Sequence, residues 1–331
     1  MSDWDWTDLF SGGGGASRGI TDAGQFVRIA TNHNEISVET HTRNHPETEH
    51  RCADLNNTNF ASYPRTRGLW ASPSCRYHSA ANRGQSKQGG VEDELRRDTP
   101  ASQDRASAWA VVAAAEEHGY DAVVVENVRE FLSWVLRPSW LDAMRRLGYR
   151  DQTAIIDAAD LGVPQERRRS FTVFTRGGDV DLRLPKTMRR PIVDILEPAA
   201  GLGDLLGDRC RYARPQIAEI PEDLLDVSHV ATYRRNSHIR DTRTRQLATV
   251  TAGGWHHLLV TRTGEGVRAR WLGVRELARA QGFPDTDVFA GSVDDQRRQI
   301  GNAVATPVAR FLAERVAAAV DGRQRVGLAA A

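Results

Sequence analysis

Short apolar runs that end in polar turns alternate with stretches of helical periodicity along the first half of the chain. "WTDLF" (6–10) predicts a strand, and the Gly-rich turn behind it leads into a helix through about residue 24. "FVRIA" (26–30) predicts a second strand, residues 35–44 an amphipathic helix, and "GLWAS" (68–72) a third strand. Residues 104–118 combine good helix formers with an apolar stripe. "DAVVVE" (121–126) is the next strand, "SWLDAMRRLGY" (139–149) the next helix, and "RDQTAIIDA" and "SFTVFTR" two further strands. Alternation of this kind predicts an α/β class fold, a doubly wound, mostly parallel Rossmann-like sheet with helices on both faces.

Around residue 177 the alternation stops. Residues 177–264 are rich in Arg, Pro, Gly and Asp with only short apolar runs, which predicts a small, irregular, partly β domain. Helical patterning resumes at "VRELARAQGF" and again at "TPVARFLAERVAAAV". The expected division is therefore 1–176, 177–264, a return to the first domain over 265–322, and a frayed tail over 323–331. The polar, Gly-containing stretch 80–100 reads as a long surface loop, and loops of that length in compact domains are usually functional lids or disordered.

Against this pattern a few residues stand out. Glu126 closes an apolar strand that has apolar neighbours on both faces, where a carboxylate is expensive unless it has a task. "DLFSGGGGASRGI" places Gly12, Gly14 and Gly15 between a strand and a helix, which lets backbone approach a ligand closely at a helix N-terminus. Alone, that turn implies a nucleotide-like cofactor and nothing more specific; it lacks the Lys-Ser/Thr of a phosphate-binding P-loop. Cys75, in "ASPSCRYHS", follows a strand end, where the ligand crevice of an open α/β sheet lies. Buried free cysteines are ordinarily small hydrophobes, but Ser74, Arg76 and His78 flank this one with polarity, and Arg76 favours the attacking thiolate. In "LGVPQERRRSF", Gln165, Arg167 and Arg169 alternate, so a strand would project all three to one face.

Composition narrows the class. Of 331 residues 40% are hydrophobic and 26% charged, as in ordinary globular proteins, and no apolar run approaches the roughly 18 residues of a membrane span. The start has neither a basic n-region nor an apolar h-region, so a cytoplasmic protein is expected. Three cysteines, Cys52, Cys75 and Cys210, are too few and too scattered for a disulfide framework or a zinc site. The net charge of +1 says little, but its distribution says more. Residues 1–60 hold nine acids against four arginines, whereas Arg234, Arg235, Arg240, Arg243 and Arg245 face only Asp241. That run is either a solvated surface or a phosphate-facing strip.

Together these pieces resemble the cytosine-5 DNA methyltransferases, over nearly the whole chain and in the family's order. "DLFSGGGG" is similar to the family's FxGxGG cofactor motif, "SPSCRYHS" to its Pro-Pro-Cys-Gln nucleophile motif, "ENV" (126–128) to its Glu-Asn-Val and "GVPQERRR" to its QxRxR; "RELARAQGFPD" (275–285) and "QIGNAVATPVA" (299–309) resemble the two C-terminal motifs. The resemblance implies a flipped-out cytosine in double-stranded DNA as substrate, S-adenosyl-L-methionine as cofactor, no metal, and a monomer. Cytosine C5 is a poor nucleophile. Addition of the Cys75 thiolate to C6 turns the ring into an enamine, and a carboxyl group at N3, Glu126, lowers the barrier to that addition. Arg169, with Arg167, is implied at the cytosine O2. For the cofactor, the resemblance implies Phe10 against the adenine, Ser11, Gly12, Gly14 and Gly15 near the methionine moiety, Asp54 near the adenine amino group, and Asn302 and Val304 from the C-terminal side. Asn302 has a plainer reading as a helix N-cap. Asn127 is expected to shape the loop around Glu126.

The chain also departs from the family. Asn32 stands where an acidic residue normally holds the ribose hydroxyls, so that contact loses its charge-assisted strength. Ser74, Arg76 and His78 replace the second Pro, the Gln and the Phe of the nucleophile motif. Residues 177–264 correspond to the target-recognition domain, where arginines and "TVTAGGWHH" (249–257) suit a DNA-reading surface. An RNA cytosine-5 methyltransferase and a DNA-binding pseudoenzyme are the competing readings; the long insert weighs against the first and an intact Cys75, Glu126 and Arg169 against the second.

Overall fold

A computed structural model describes residues 3–74, 100–206, 213–233 and 237–329, with side chains described except at 100–106 and 323–329. The chain forms two compact units: 1–156, 168–183 and 308–331 make the first, 157–167 and 184–307 the second.

The first unit is built on a seven-stranded sheet. β1 (Asp5–Leu9), α1 (Gly15–Asp22), β2 (Phe26–Asn32), α2 (Glu35–Asn44) and β3 (Glu49–Cys52) run outward, and β4 (Gly68–Ala71) then returns to the other side of β1. After α3 (Pro100–His118), β5 (Ala122–Asn127), α4 (Arg137–Arg146), β6 (Arg150–Asp157) and β7 (Arg168–Thr175) complete the order β3-β2-β1-β4-β5-β7-β6. Neighbours from β3 to β5 are parallel, and β7 enters antiparallel to β5. The chain therefore reverses direction across the sheet between β1 and β4, and the strand ends at that switch point are where such sheets bind ligands. One strand escapes the hydrophobic pattern. β3 is an edge strand of four residues, Glu-His-Arg-Cys, with no residue fully buried, so it carries no apolar period to detect.

Both faces of the sheet are covered, as parallel strands require. Leu9, Ile29, Leu69, Val123, Val125 and Phe174 join Trp140 and Met144 of α4 and Val111 and Ala115 of α3 in one cluster. Trp6, Trp70 and Phe171 line the other face edge to face, with centroids 6.5 and 6.4 Å apart. Buried indoles need partners for their N–H groups: Trp6 donates to Gln25 at 2.6 Å and Trp140 to the Ala108 carbonyl at 2.9 Å.

In the second unit β8 (Asp204–Leu205), the single helical turn α5 (Arg214–Ile217), β9 (Ser228–Thr232), β10 (Arg240–Asp241), β11 (His257–Thr263) and β12 (Gly266–Trp271) form an antiparallel sheet in the order β10-β9-β11-β12-β8. α6 (Val274–Arg279) and α7 (Val293–Asn302) follow. The "RE" of "VRELAR" caps α6: Glu276 accepts from the Gly273 and Glu197 amides and pairs with both Arg270 terminal nitrogens at 2.8 Å. The last helix, α8 (Thr306–Ala329), belongs from residue 308 to the first unit, where Asp321 accepts from Trp4 and Arg67 and the Ala313 carbonyl from Gln25. Its backbone stays helical to Ala329, past the point where a frayed tail was expected, because Arg, Gln, Leu and Ala there are good helix formers. Among the described residues no helix is long and apolar enough to cross a membrane.

The expected strand carrying Gln165, Arg167 and Arg169 on one face does not form. β7 begins at Arg168, so Arg169 lies in the first unit, while Gln165 and Arg167 lie in the second. The reason is a polar staple. Arg167, 2% exposed, donates to the carbonyls of Val250 (2.9 Å), Gly301 (3.0 Å) and Ala303 (2.8 Å). The last two sit at the C-terminal, electronegative end of α7, which suits a cation. Gln165 donates to the Ala280 carbonyl at 2.8 Å and accepts from Val250 N at 2.6 Å. These bonds tie 165–167, 250, 280 and 301–303 together, so the second unit is larger than 177–264 and extends to 307.

The staple requires close backbone approach. A Cβ on Gly301 would stand 2.3 Å from the Thr251 carbonyl carbon and 2.4 Å from Ala252 N. Ala ordinarily stabilises a helix relative to Gly by roughly 1 kcal/mol, but here Gly301→Ala is expected to destabilise by about 1–3 kcal/mol through overpacking. Urea unfolding checks this, with Gly264→Ala, where a Cβ meets nothing within 4 Å, as the neutral control.

Candidate active site

Two groups of residues collect at the carboxyl ends of the parallel strands of the first unit. The first follows β1, β2 and β3. β1 ends in a sharp turn in which Phe10 adopts φ 61°, a conformation that non-glycine residues rarely take and that clusters at functional sites. Ser11 N donates to the Thr31 carbonyl (3.1 Å) and Gly14 N to the Ser11 carbonyl (3.1 Å), so the turn is pinned to β2 and closes on itself. Gly12 (φ 54°) and Gly14 (φ 90°) need the left-handed region that glycine reaches without strain. They face different surroundings. A Cβ on Gly12 would meet nothing within 4 Å, whereas one on Gly14 would stand 3.0 Å from His45 Nε2. The turn is thus open at Gly12 and packed at Gly14, from which α1 departs through Gly15.

Asn32, the last residue of β2, is buried; its Oδ1 accepts from Asn34 N at 2.9 Å, and its amide nitrogen has no partner among the described residues. Asp54 lies just beyond β3, whose Cys52 pairs in register with Asn32. Its exposed carboxylate caps a 3₁₀ turn, accepting from Asn56 N (3.0 Å) and from the amides of Asn56 (3.1 Å) and Asn57 (3.3 Å). Phe10–Gly14, Asn32 and Asp54 therefore follow three adjacent strand ends.

The second group follows β4 and β5. Ser72 N donates to the Leu9 carbonyl at 3.1 Å, fixing the exit of β4 against β1. Asn127, 1% exposed, donates its amide to the Pro73 carbonyl (3.1 Å), and its Oδ1 accepts from Val128 N (2.8 Å). Ser170 Oγ then donates to the carbonyls of Asn127 and Val128. Asn127 thus shapes the strand exits, the part the sequence suggested. Glu126 is buried with its carboxylate 3.3 Å from Arg169 Nε. Register explains the meeting. β7 is antiparallel to β5 with Glu126 opposite Phe171 and Asn127 opposite Ser170, so the first residues of β7 arrive at the last residues of β5. The sequence reading weighed burial of Glu126 alone; the guanidinium compensates that carboxylate directly. Cys75 follows Ser72–Pro73–Ser74 in the chain, but it lies outside the described residues, as do Arg76, His78 and the loop expected over 80–100.

Arg167 and Arg169 part company. The guanidinium of Arg167 bonds carbonyls of the second unit, and that of Arg169 meets Glu126. Asn302 is the last residue of α7, not an N-cap, and Val304 is buried just beyond it; both belong to the second unit. The arginine run also divides. Arg240 bonds Glu166 (3.0 Å) and Arg243 bonds Asp241 (2.7 Å), whereas Arg245 is exposed and without an ion-pair partner among the described residues; Arg234 and Arg235 lie outside them. On the second unit Trp255, 40% exposed on its Gly-Gly turn, is backed by the Arg297 guanidinium 3.8 Å from its ring centre.

One functional candidate went unread in the sequence. Asp8, two residues before the glycine turn, is fully buried; Ser17 Oγ donates to its Oδ2 at 2.6 Å, and its Oδ1 has no partner among the described residues. The signal was available, since "TDLF" puts a carboxylate inside an apolar strand as "VVVEN" does. An orphaned buried carboxylate oxygen, an open left-handed glycine turn and an unpartnered Asn32 amide fit a ligand that brings positive charge and hydroxyl groups to the ends of β1 and β2.

Comparison with known proteins identifies the family and the fold. The family model of the C-5 cytosine-specific DNA methylases matches residues 5–318. The chain is 25% identical to the type II methyltransferase M.MthTI of Methanothermobacter thermautotrophicus, over 96% of this chain and 98% of that protein, and 26% identical to the type II methyltransferase M.NlaX of Neisseria lactamica, over 95% and 96%. In fold it is similar to a DNMT2 mutant of Spodoptera frugiperda (TM-score 0.68, 15% identity, 95% of this chain and 99% of that one) and to a putative DNA modification methyltransferase encoded within an E. coli prophage (TM-score 0.66, 20% identity, 95% and 98%). With the strand-end constellation and a match across almost its whole length, the chain belongs to the C-5 cytosine-specific DNA methylase family, enzymes that methylate cytosine at C5.

Proposed function

We propose that the protein transfers the methyl group of S-adenosyl-L-methionine to C5 of a cytosine flipped out of duplex DNA, working as a monomer in the cytoplasm, where its DNA substrate is. The Glu126–Arg169 pair beside the exit of β4 carries this reading. When bound, the cofactor supplies an electrophilic methyl group on a sulfonium. The protein's own residues do the rest. The Cys75 thiolate forms a bond to cytosine C6, and the ring's electrons move toward N3 and O2. Glu126 holds a proton at N3 and Arg169 donates to O2, so the developing charge meets groups already in place. After transfer to C5, the C5 proton passes to water, and the electron pair it leaves forms the C5–C6 double bond as the C6–S bond breaks, so the Cys75 thiolate departs and the aromatic ring is restored.

The cofactor residues of this reading are Phe10, Ser11, Gly12, Gly14, Gly15, Asn32 and Asp54. Asn32 offers its unpartnered amide to a ribose hydroxyl, while the Asp54 carboxylate must exchange a capping bond to reach an adenine amino group. Arg167 acts by holding the second unit together.

Two outcomes test the assignment. Purified protein with mixed-sequence duplex DNA and labelled S-adenosylmethionine is expected to mark cytosines in one sequence context, read at base resolution, with transfer RNA unmodified. Cys75→Ser abolishes the mark, and Glu126→Gln lowers the turnover rate by roughly 10²–10⁴-fold; unmodified DNA with well-folded, cofactor-binding protein overturns the reading. The two arginines separate by a second measurement. Arg169→Lys lowers kcat by about 10²-fold with little change in Tm, whereas Arg167→Lys lowers Tm, because an ammonium cannot span three carbonyls. Equal effects of both on kcat with unchanged Tm contradict the division of roles.

A further inference from the structure

A chain of hydrogen bonds leads from the buried Asp8 to the surface, and methyl transfer makes no use of it. Asp8 Oδ2 meets Ser17 Oγ at 2.6 Å, Ser17 Oγ meets His41 Nε2 at 2.9 Å, and His41 Nδ1 meets His50 Nε2 at 2.8 Å. The four residues come from β1, α1, α2 and β3. Asp8, Ser17 and His41 have no exposure, while His50, on the edge strand, is partly exposed. Two further groups face the chain: His45, whose ring centre is 4.6 Å from that of His41, and Arg18 beside His45.

Every link joins one proton to two acceptors, so the chain has two polarities. With Asp8 as the acid, Oδ2–H donates to Ser17, Ser17 to His41 Nε2, and His41 Nδ1–H to a neutral His50. With Asp8 as the carboxylate, His50 Nε2–H donates to His41, His41 Nε2–H to Ser17, and Ser17 to Asp8. Interconversion moves one proton across each bond. Net charge is conserved if His50 becomes the cation, and falls by one if that proton passes to water.

We propose that Asp8, Ser17, His41 and His50 form a proton wire that couples occupancy of the glycine turn to solvent, so that seating a cationic ligand there expels a proton through His50. The inference rests on the reading that S-adenosylmethionine binds at this turn. Burial pushes the Asp8 carboxyl up to about 7 against the Ser17 hydrogen bond, so in the free protein it holds its proton through the acid range. Burial, then His45 and His50, keep the His41 ring neutral, as a relay must be. Burial followed by the charge of Arg18 holds His45 down at about 4, so His45 stays a neutral wall. Burial also lowers His50, which therefore passes its proton on near neutral pH. Positive charge on a ligand seated at the turn, which begins two residues beyond Asp8, would favour the carboxylate and reverse the chain. The demethylated product, S-adenosylhomocysteine, has lost that charge and does so less.

Calorimetry in buffers of different ionisation heat counts the protons released. Release with S-adenosylmethionine is expected to exceed that with S-adenosylhomocysteine by approaching one proton at pH 6, about half a proton at pH 7, and little above pH 8, where Asp8 is already ionised. Comparing the two ligands cancels their shared amino group. Asp8→Asn is expected to remove the difference. Tight binding of both ligands with equal release, or a difference that survives Asp8→Asn, overturns the proposal. If neither ligand binds, the cofactor reading fails, and the wire is judged on the free protein by the NMR titration of His50. In the free protein the His50 ring signals are expected to follow the Asp8 step near pH 7, and Asp8→Asn and His41→Phe each remove that step; a step that survives His41→Phe rejects the wire.

Discussion

A carboxylate withdrawn from water must be protonated, paired or hydrogen-bonded, and this constraint organises the catalytic unit. Two carboxylates, Asp8 and Glu126, lie on the same face of the seven-stranded sheet: Asp8 in the row of Trp70 and Val124, and Glu126 two residues beyond Val124, opposite Phe171. Tryptophans and valines make that face dry, so each carboxylate needs its own compensation. Glu126 obtains it from a guanidinium delivered by the antiparallel strand beside it. Asp8 obtains it from a hydroxyl on the helix that leaves the glycine turn, backed by two imidazoles. The apolar packing that stabilises the sheet thereby also sets the proton affinity and orientation of the groups that do chemistry.

The strand ends are fixed with the same economy. Ser72 N on the Leu9 carbonyl joins β4 to β1, and Asn127 on the Pro73 carbonyl joins β5 to β4, so the exits of three strands are tied together.

In the second unit a buried cation plays the organising part. Arg167 satisfies three carbonyls from two segments, and the C-terminal end of α7 supplies negative potential that favours its guanidinium. Breaking such an arrangement leaves one charge and three acceptors unsatisfied together, so side chain and backbone are constrained as a set. Gly301 belongs to that set because it permits the approach of 251–252.

Local pattern was enough to read most of the fold. Apolar period two and period 3.6 located β1, β2, β4, β5, α2 and α4, since burying those faces is what makes the elements form. Family motifs, in order, point to Phe10, Glu126 and Arg169, and Asn32 stands out as a departure from them. The edge strand β3 was invisible because it buries almost nothing, and helix to Ala329 was missed because glycines masked good helix formers. Three things only the tertiary structure decided. Alternation in "PQERRR" suggests one strand face, yet long-range bonds from Gln165 and Arg167 pull two of its members into another unit. Asp8, Ser17, His41 and His50 are separated by up to 42 positions and share no motif; they meet because parallel strands and their helices stack in space. Arg169 neutralises Glu126 because β7 runs against β5, and strand direction is a property of the sheet, absent from either segment alone.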